Sequence, residues 1–353
     1  MADVNFNELF GNFSAADALA ATESNKNTGF TGSAGLYKPS IKDEKCKDQN
    51  YRALVRFIPF YHEGKWRTTV CRWECYLKDV NGDNGIFVVS PKTANQKCPM
   101  RALSYKLYTS DSAIDKANSK KIQVYQQYYA LVEVVKDVQH PEYDGKIFIY
   151  QFGQKINDKI ENAMTSTEFT EGFNPFDLYN GRLFELNLTK DSKKMEGGDK
   201  TVTNYDACRF IEKGAPIHFP VGENVVTLAA DDRESQKAFI NWLDKDAPKI
   251  KDYFWKEWDS ETTAKVNANL ATYTSGYVAP RTPAASAQQA VADAVKAASA
   301  PQVAPAPSPQ PTETDDIGDI PDFTSGDASV NTPSDAAPVS TDDDDWINSV
   351  LNS

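Results

Sequence analysis

The sequence predicts a mainly β fold with peripheral helices, of the α+β class, and three observations support this. Segments rich in Val, Ile, Phe, Tyr and Thr recur between residues 51 and 210. Turn-forming stretches separate them, the clearest being VNGDNG at 80–85. Two further segments, 153–164 and 231–258, instead place apolar residues at helical spacing.

The predicted strands follow one another through the middle of the chain. They are residues 51–60, 65–77, 86–90, 124–135, 146–152, 181–188 and 201–210. Pro59 ends the first strand, and the Gly- and Lys-rich stretch 190–200 is predicted to be a loop. In the strand 124–135, alternation places Tyr125 and Tyr129 on one side and Tyr128 on the core side.

Composition divides the chain into five parts. Apolar residues at roughly helical spacing near the N-terminus predict an amphipathic helix that docks onto a neighbour, although a frayed terminus is the alternative; they are Phe6, Leu9, Phe10 and Phe13. The predicted parts are an N-terminal self-association segment (1–25), a linker (26–45), a core with a helical C-terminal portion (46–275), an Ala/Pro/Gln-rich linker (276–312) and a disordered acidic tail (313–353).

The negative charge of the chain is concentrated at its C-terminal end. Residues 297–353 contain eleven acidic residues and no Lys or Arg, which leaves 39 of the 50 acidic residues and all 38 basic residues in 1–296. Residues 1–296, the body of the chain, therefore have almost no net charge, and the sequence pI of about 4.9 reflects the acidic tail. For this reason the overall charge does not exclude a nucleic-acid partner.

The sequence contains no recognisable catalytic motif. Phosphate-binding loops of the Walker type, GxSxG and HExxH are missing, and the three histidines are scattered. We therefore expect a protein that is not an enzyme, without catalytic residues or a cofactor. Five cysteines and no hydrophobic signal segment indicate a reducing cytoplasm, and no apolar run is long enough to span a membrane.

A zinc site is the alternative to the absence of a cofactor. Cys71, Cys75, Cys98 and His62 have suitable ligand chemistry. However, positions 71 and 75 of one strand are about 13 Å apart at ~3.3 Å per residue, which is too far for one ion unless the strand bends. Buried free thiols are the preferred interpretation, and no metal ligand is predicted.

Aromatic residues interleaved with basic residues are the strongest chemical signal. Three stretches have this pattern: RALSYKLYTS (101–110), NSKKIQVYQQYYAL (118–131) and NYDACRF (204–210). Single-stranded nucleic acid is bound by such mixtures, because bases stack on rings while cations follow the phosphates. Strands also favour tyrosine for structural reasons. The candidate binding residues are Arg101, Tyr105, Tyr108, Lys120, Lys121, Tyr125, Tyr128, Tyr129, Tyr205 and Arg209.

Several segments together resemble the single-stranded-DNA-binding, or helix-destabilising, proteins of T-even-type bacteriophages. The longest such segment is VVKDVQHPEYDGKIFIYQFGQKINDKI (134–160). VRFIPF, EGKWRTTVC, NPFDLYNGRLFELNL and NYDACRF follow the family's order, and an acidic tail follows a helical region. The resemblance covers roughly residues 46–215 and, by architecture only, the tail.

The resemblance implies an OB-like β-barrel core with a groove for single-stranded DNA, and a role in phage replication, recombination and repair in the cytoplasm of the infected bacterial host. It adds Arg56 to the candidates and also supports Tyr128 and Tyr205. Where the family's zinc site has a further cysteine, this chain has Arg101, so the resemblance does not carry zinc over. The alternatives are an RNA-binding OB-type protein and a non-enzymatic adaptor or structural protein.

The tail combines an acidic run with an apolar tip. Asp342, Asp343, Asp344 and Asp345 imitate a phosphate backbone and are predicted to compete with DNA for the groove. Apolar residues then recur at helical spacing, as expected of a peptide that docks on replication and recombination proteins; they are Trp346, Ile347, Val350 and Leu351. A purely solubilising tail is the alternative.

Overall fold

The structure, a computed structural model, describes residues 14–23, 36–46, 49–168, 171–195 and 198–274. Its strands are β1 Leu36–Tyr37, β2 Tyr51–Ile58, β3 Phe60–His62, β4 Lys65–Arg67, β5 Val70–Lys78, β6 Gly85–Val89, β7 Tyr125–Asp137, β8 Lys146–Phe152, β9 Gly181–Met195, β10 Gly198–Asn204, β11 Arg209–Ala215, β12 His218–Val221 and β13 Asn224–Thr227. Its α-helices are α1 Ala15–Glu23, α2 Pro99–Tyr108, α3 Ala113–Ser119, α4 Gln154–Met164, α5 Arg233–Lys245 and α6 Ser260–Ala271. Short 3₁₀ helices span Pro91–Ala94, Pro141–Tyr143 and Ile250–Tyr253.

Strand β7 is the centre of a mixed nine-stranded sheet. The strand order is β1-β8-β7-β2-β9-β10, with β11 on β9 and the β5–β6 hairpin on β7. Because β7 is 13 residues long, its first part pairs with β5 and its last part with β2, while β8 pairs with its middle. Among the strand pairings of the described residues, only that of β1 with β8 is parallel.

The predicted α+β class is confirmed. The described pairings do not return from β10 to β1, so a closed OB-like barrel is not shown. Within the described ranges, no helix combines the length and the apolar composition needed to cross a membrane.

The buried side chains form three apolar clusters. Cluster 1 lies on one face of the sheet and includes Ala53, Val55, Phe57, Tyr128, Ala130, Val132, Val134, Phe152 and Phe184. Cluster 2 includes Ile58, Val70, Tyr129, Leu131 and Ile149 with Phe239, Trp242 and Leu243 of α5. Cluster 3 joins the β5–β6 hairpin to α2 and α6 and includes Cys75, Leu77, Val88, Cys98, Met100, Leu107, Val266, Leu270 and Tyr273. Alternating residues of β7 therefore enter clusters 1 and 2, so both of its faces are buried.

Several predicted elements differ in extent from the observed ones. The strand 65–77 is interrupted at 68–69, and the helix 231–258 is broken because Pro248 cannot continue α5. The predicted loop 190–200 contains the paired ends of β9 and β10. Residues 36–45, which composition assigns to a linker, pack on the sheet instead: Tyr37 is 2 % exposed and donates a hydrogen bond to Asp137. Phe6, Leu9, Phe10 and Phe13 lie outside the described residues.

Arg56 is fully buried on β2 and is held by backbone carbonyl groups. Its Nε donates to the Ala215 carbonyl at 2.9 Å and its Nη1 to the Pro175 carbonyl at 3.0 Å. The guanidinium also donates to the carbonyls of Phe57 and Asp177. Burial lowers the pKa of Arg56 to about 10, against the opposing field of nearby carboxylates. Arg56 thus joins β2, β11 and the segment before β9.

Replacing Arg56 with Met should lower the free energy of unfolding by about 3 kcal/mol or more, because several buried carbonyls lose their donor. Gly181→Ala should also destabilise the protein, since a Cβ at Gly181 would overlap the guanidinium. Arg209→Met is the matched control. Arg209 is partly exposed, and its partner Glu185 retains the salt bridge with Arg52, so the free energy of unfolding should fall by less than about 1 kcal/mol. Denaturant unfolding measures all three, and equal losses for Arg56 and Arg209 would contradict this structural role.

The histidines predict a pH dependence of stability. Hydrogen bonding to the buried Glu133 raises the pKa of His218, against the opposing effect of burial, whereas burial lowers the pKa of His62. The His218 contribution is therefore complete at about pH 6 and is lost as the pH rises through the raised pKa. Unfolding midpoints should show His218→Gln costing more at about pH 6 than at about pH 8. His62→Gln should show the opposite trend, and parallel curves would refute both assignments.

Candidate nucleic-acid interface

Clusters 1 and 3 are separated from each other at the place where β5 pairs with β7. Cys71 packs against cluster 1 and Cys75 belongs to cluster 3. Trp73 lies between them on the same face of β5 and is only partly buried. Its cross-strand partner on β7 is Gln126, which is also partly buried. We call Trp73 and Gln126 the Trp73 strip; an apolar cluster lies on either side of it.

Two cations lie against the Trp73 ring. Lys92 Nζ is 3.3 Å from the ring centroid, and Arg101 Cζ is 5.4 Å from it. Lys92 is fixed on the 3₁₀ helix 91–94, because the Trp73 amide donates to Thr93 Oγ1 at 2.8 Å and the Ser90 amide donates to the Trp73 carbonyl at 2.7 Å. Aromatic ring and cations therefore form one surface.

Helix α2 extends this surface with a stripe of three residues. Pro99 begins the helix, and the Cys98 sulfur caps it by accepting from the Arg101 amide. Arg101, Tyr105 and Tyr108 follow at i, i+4 and i+7 and share one face, on which the tyrosines are 43 % and 40 % exposed. The opposite face, with Met100, Leu103 and Leu107, packs in cluster 3. The helix is therefore amphipathic, and its rotation is set by the cluster.

The segment that carries α2 and α3 is strongly basic. Its cations are Lys92, Lys97, Arg101, Lys106, Lys116, Lys120 and Lys121. It has only two acidic residues, and Asp115 is buried and accepts a hydrogen bond from Ser110. We call residues 92–121 the basic module; its net charge is +5, within a body that is almost neutral. Such a concentration of charge attracts polyanions.

The cluster 1 side of the Trp73 strip is less cationic. Tyr128 donates from its hydroxyl to Gln154 Oε1 at 2.7 Å, and its ring is stacked on Phe152. Gln154 in turn donates to Asp158. Burial is the main cause that raises the pKa of Tyr128, and the carboxylates of Glu161 and Asp158 add to it. Amide and carboxylate groups thus border the strip on this side.

Five of the predicted binding residues lie in the basic module. Arg101, Tyr105 and Tyr108 form the stripe on α2, while Lys120 and Lys121 are exposed after α3. Lys121 Nζ donates to the Val80 carbonyl at 3.2 Å, which connects the end of the module to the β5–β6 turn. All five therefore belong to one continuous basic segment of the chain, residues 101–121.

The three predicted tyrosines of β7 offer little surface. Tyr129 is 2 % exposed, lies in cluster 2, and donates from its hydroxyl to the buried Glu74 at 2.5 Å. Alternation places Tyr129 on the side of β7 away from the predicted core, but that side is also buried. Tyr128 is buried in cluster 1, as alternation predicts. Tyr125 lies on the face opposite the strip, and burial raises its pKa to about 12.

Arg56, Tyr205 and Arg209 lie apart from the strip. The guanidinium of Arg56 is enclosed in the interior and has no surface to offer a ligand. Arg209 lies on β11 and pairs with the buried Glu185 of β9, and Tyr205 packs against cluster 1. Strand β9 is separated from β5 by β2 and β7, so the structure does not bring these residues to the basic module.

Sequence reasoning missed the residues at the centre of the strip. Trp73 lies between Cys71 and Cys75 at alternate positions of one strand, and the pattern indicated only the two cysteines, as possible zinc ligands. The residues next to Lys92 and Gln126 in the sequence do not indicate a binding site. Each of the two becomes part of the strip region only because it contacts Trp73, which lies in a distant segment.

The cysteines considered for zinc are divided between different parts of the core. Cys75 and Cys98 belong to cluster 3, and burial raises the pKa of Cys75 to about 12. Cys71 instead packs against cluster 1 and accepts from Gln126, while His62 is stacked on Phe254. Within the part of the chain that the structure describes, no three His, Cys, Asp or Glu side chains are grouped as metal ligands.

Comparisons with known proteins identify the central part of the chain. Residues 49–221 match the family described as "gp32 DNA binding protein like". The curated "Single-stranded DNA-binding protein" of Enterobacteria phage T4 and that of Enterobacteria phage T2 are each 28 % identical to this chain over 187 residues. These alignments cover 47 % of this chain and 52 % of each relative, so the chain spans about half the length of the curated relatives it matches.

The match contains Arg56, the Trp73 strip and the basic module, while α5 and α6 follow it. The match therefore assigns residues 49–221, just under half of the chain, to the gp32-like DNA-binding family.

Proposed function

We propose that this protein binds single-stranded DNA without sequence preference, across the Trp73 strip and the basic module. The observation that carries the proposal is the partly buried Trp73 ring, set between two apolar clusters with Lys92 and Arg101 against it. The family match and the names of the relatives support the same conclusion. Arg56, Tyr125, Tyr128, Tyr129, Tyr205 and Arg209 are not part of the proposed contact surface.

The chemistry of the Trp73 strip and the basic module suits a flexible strand of nucleic acid. Bases stack on Trp73, Tyr105 and Tyr108, each stacked pair contributing about 1–3 kcal/mol, while the lysines follow the phosphates. Paired bases cannot stack on such rings, so the protein favours open strands and melts duplex only by mass action. Every base can stack on an aromatic ring, and the binding therefore requires no recognition of the base sequence.

The proposed biological role follows from the family. The protein coats and protects DNA strands exposed during phage replication, recombination and repair, in the cytoplasm of the infected host. It acts without a catalytic step, and its sheet provides an OB-like binding core. The N-terminal segment, through Phe6, Leu9, Phe10 and Phe13, supports self-association along the strand.

The acidic tail completes the proposal as a competitor and a docking peptide. Asp342 to Asp345 compete with DNA phosphates, and the apolar tip recruits replication and recombination proteins. The anchoring of Tyr273 supports this role: its hydroxyl donates to the Lys78 carbonyl at 2.8 Å. The chain therefore leaves its last described helix near the β5–β6 turn, which Lys121 of the basic module also contacts.

Titration of tryptophan fluorescence with oligo(dT) tests the function. We expect saturable quenching whose log–log salt slope is about −3 to −4, because ~4–6 neutralised phosphates contribute about −0.7 each. The absence of saturable, salt-sensitive binding would refute the proposal. Tighter binding of oligo(rU) would identify an RNA-binding protein, and binding to neither would leave an adaptor role.

The location of the interface is tested by two aromatic substitutions on β5. Trp73→Leu should raise the Kd for labelled oligo(dT) about tenfold, through the loss of one stacked base. Tyr76→Leu is the matched control, because Tyr76 is 53 % exposed but lies on the opposite face of the same strand. Anisotropy titrations measure both, and an equal effect of the two substitutions would place the strand elsewhere.

Removal of residues 313–353 should tighten oligo(dT) binding at about 0.05 M salt and change it little at about 0.3 M, because screening weakens the competition. Replacing Asp342–Asp345 by Asn should reproduce part of this effect. Trp346→Ala with Val350→Ala keeps the charge and should leave the affinity unchanged while abolishing partner recruitment. Unchanged affinity of the truncated protein at low salt would exclude competition by the tail.

A further inference from the structure

The C-terminal part of the described chain, which follows the family match, is bonded to both strands of the β5–β6 hairpin. Trp258 Nε1 donates to the Val89 carbonyl of β6 at 2.8 Å. Asn269 on α6 lies within hydrogen-bond distance of two carbonyls, with Nδ2 3.2 Å from that of Leu77 and 3.3 Å from that of Asn84. These bonds place α6 across the end of the hairpin.

The turn of the hairpin is held by the residues that follow α6. The Val80 amide donates to Thr272 Oγ1 at 2.9 Å. The hydroxyl of Tyr273 donates to the Lys78 carbonyl at 2.8 Å and lies 3.2 Å from the Asp79 carbonyl. Backbone groups at both ends of the turn are therefore satisfied by side chains that lie almost 200 residues away in sequence.

Apolar contacts connect the same C-terminal residues to the basic module. Val266, Leu270 and Tyr273 are buried in cluster 3, together with Met100 and Leu107 from the inward face of α2. A ten-residue helix is marginal in isolation, so the position and rotation of α2 depend on this cluster. Each residue of a helix is rotated by about 100° from the last, and a small rotation of α2 would move the outward stripe away from the Trp73 strip.

We propose that Asn269, Leu270 and Tyr273 are positioning residues for the nucleic-acid interface. They hold the hairpin and complete cluster 3, and so fix Trp73 on β5 and Arg101 on α2 in one orientation. The inference rests on the proposed function. It assigns to the region after residue 221 a role in the binding surface, although no residue of that region belongs to the surface itself.

Paired leucine substitutions test the proposal. Leu270→Ala opens a cavity in cluster 3, whereas Leu243→Ala makes the same truncation on α5 in cluster 2. At a temperature where circular dichroism shows both full-length variants folded, Leu270→Ala should raise the Kd for oligo(dT) about fivefold. Leu243→Ala should leave the Kd unchanged. Equal Kd values for the two variants would overturn the proposal.

Hydrogen exchange provides a readout that does not require DNA. Leu270→Ala should accelerate exchange of the α2 amides, and Tyr273→Phe, which keeps the ring but removes the hydroxyl, should accelerate exchange at the hairpin turn. By reciprocity, bound oligo(dT) should slow exchange in α6. If wild-type protein fails to bind oligo(dT), the proposed function fails, while exchange in α2 still decides whether α6 holds the module. Unchanged exchange in both variants would refute the positioning role.

Discussion

The two-sided burial of β7 is the constraint on which the rest of the structure depends. Its middle, residues 128–134, is buried on both faces, with Tyr128, Ala130, Val132 and Val134 in cluster 1 and Tyr129 and Leu131 in cluster 2, so it offers little surface to a ligand. Its first part runs beyond cluster 1 and pairs with β5 before cluster 3 begins. A gap remains between the clusters, and Trp73 and Gln126 occupy it. The candidate interface therefore exists because one long strand is shared by separate cores.

Two other features fix the parts around this strand. Arg56 joins β2 to β11 through backbone carbonyls and uses a charged side chain entirely for structure. At the other end of the sheet, cluster 3 joins the hairpin to a basic helix and to α6. Basic residues thus act in opposite ways in one domain. Arg56 stabilises the interior, whereas Arg101 remains at the surface because its helix buries the other face.

The outcome for each prediction depended on how local its physical cause is. Strands such as β8 and the β5–β6 hairpin were predicted closely, because alternation and turn residues are properties of neighbouring positions. Alternation shows which residues share a side of a strand, but it cannot show that other segments bury both sides. Tyr129 was misassigned for this reason. Tyr37 was assigned to a linker because a two-residue strand has no pattern of its own. Trp73 was overlooked because its importance comes from Lys92 and Arg101, which lie in later segments.

The sequence by itself determined the α+β class, the segregation of charge and the interleaving of aromatic and basic residues, because these depend on composition and short-range spacing. Helix α2, which places Arg101, Tyr105 and Tyr108 on one face, was not among the predicted elements. Only the tertiary structure decided which aromatic and basic residues meet, since burial depends on contacts between distant segments. It left the Trp73 ring partly exposed, buried Arg56 and Tyr129, and packed α6 against the basic module. The physical reason is that side-chain chemistry is local, whereas access to that chemistry is a property of the whole packed chain.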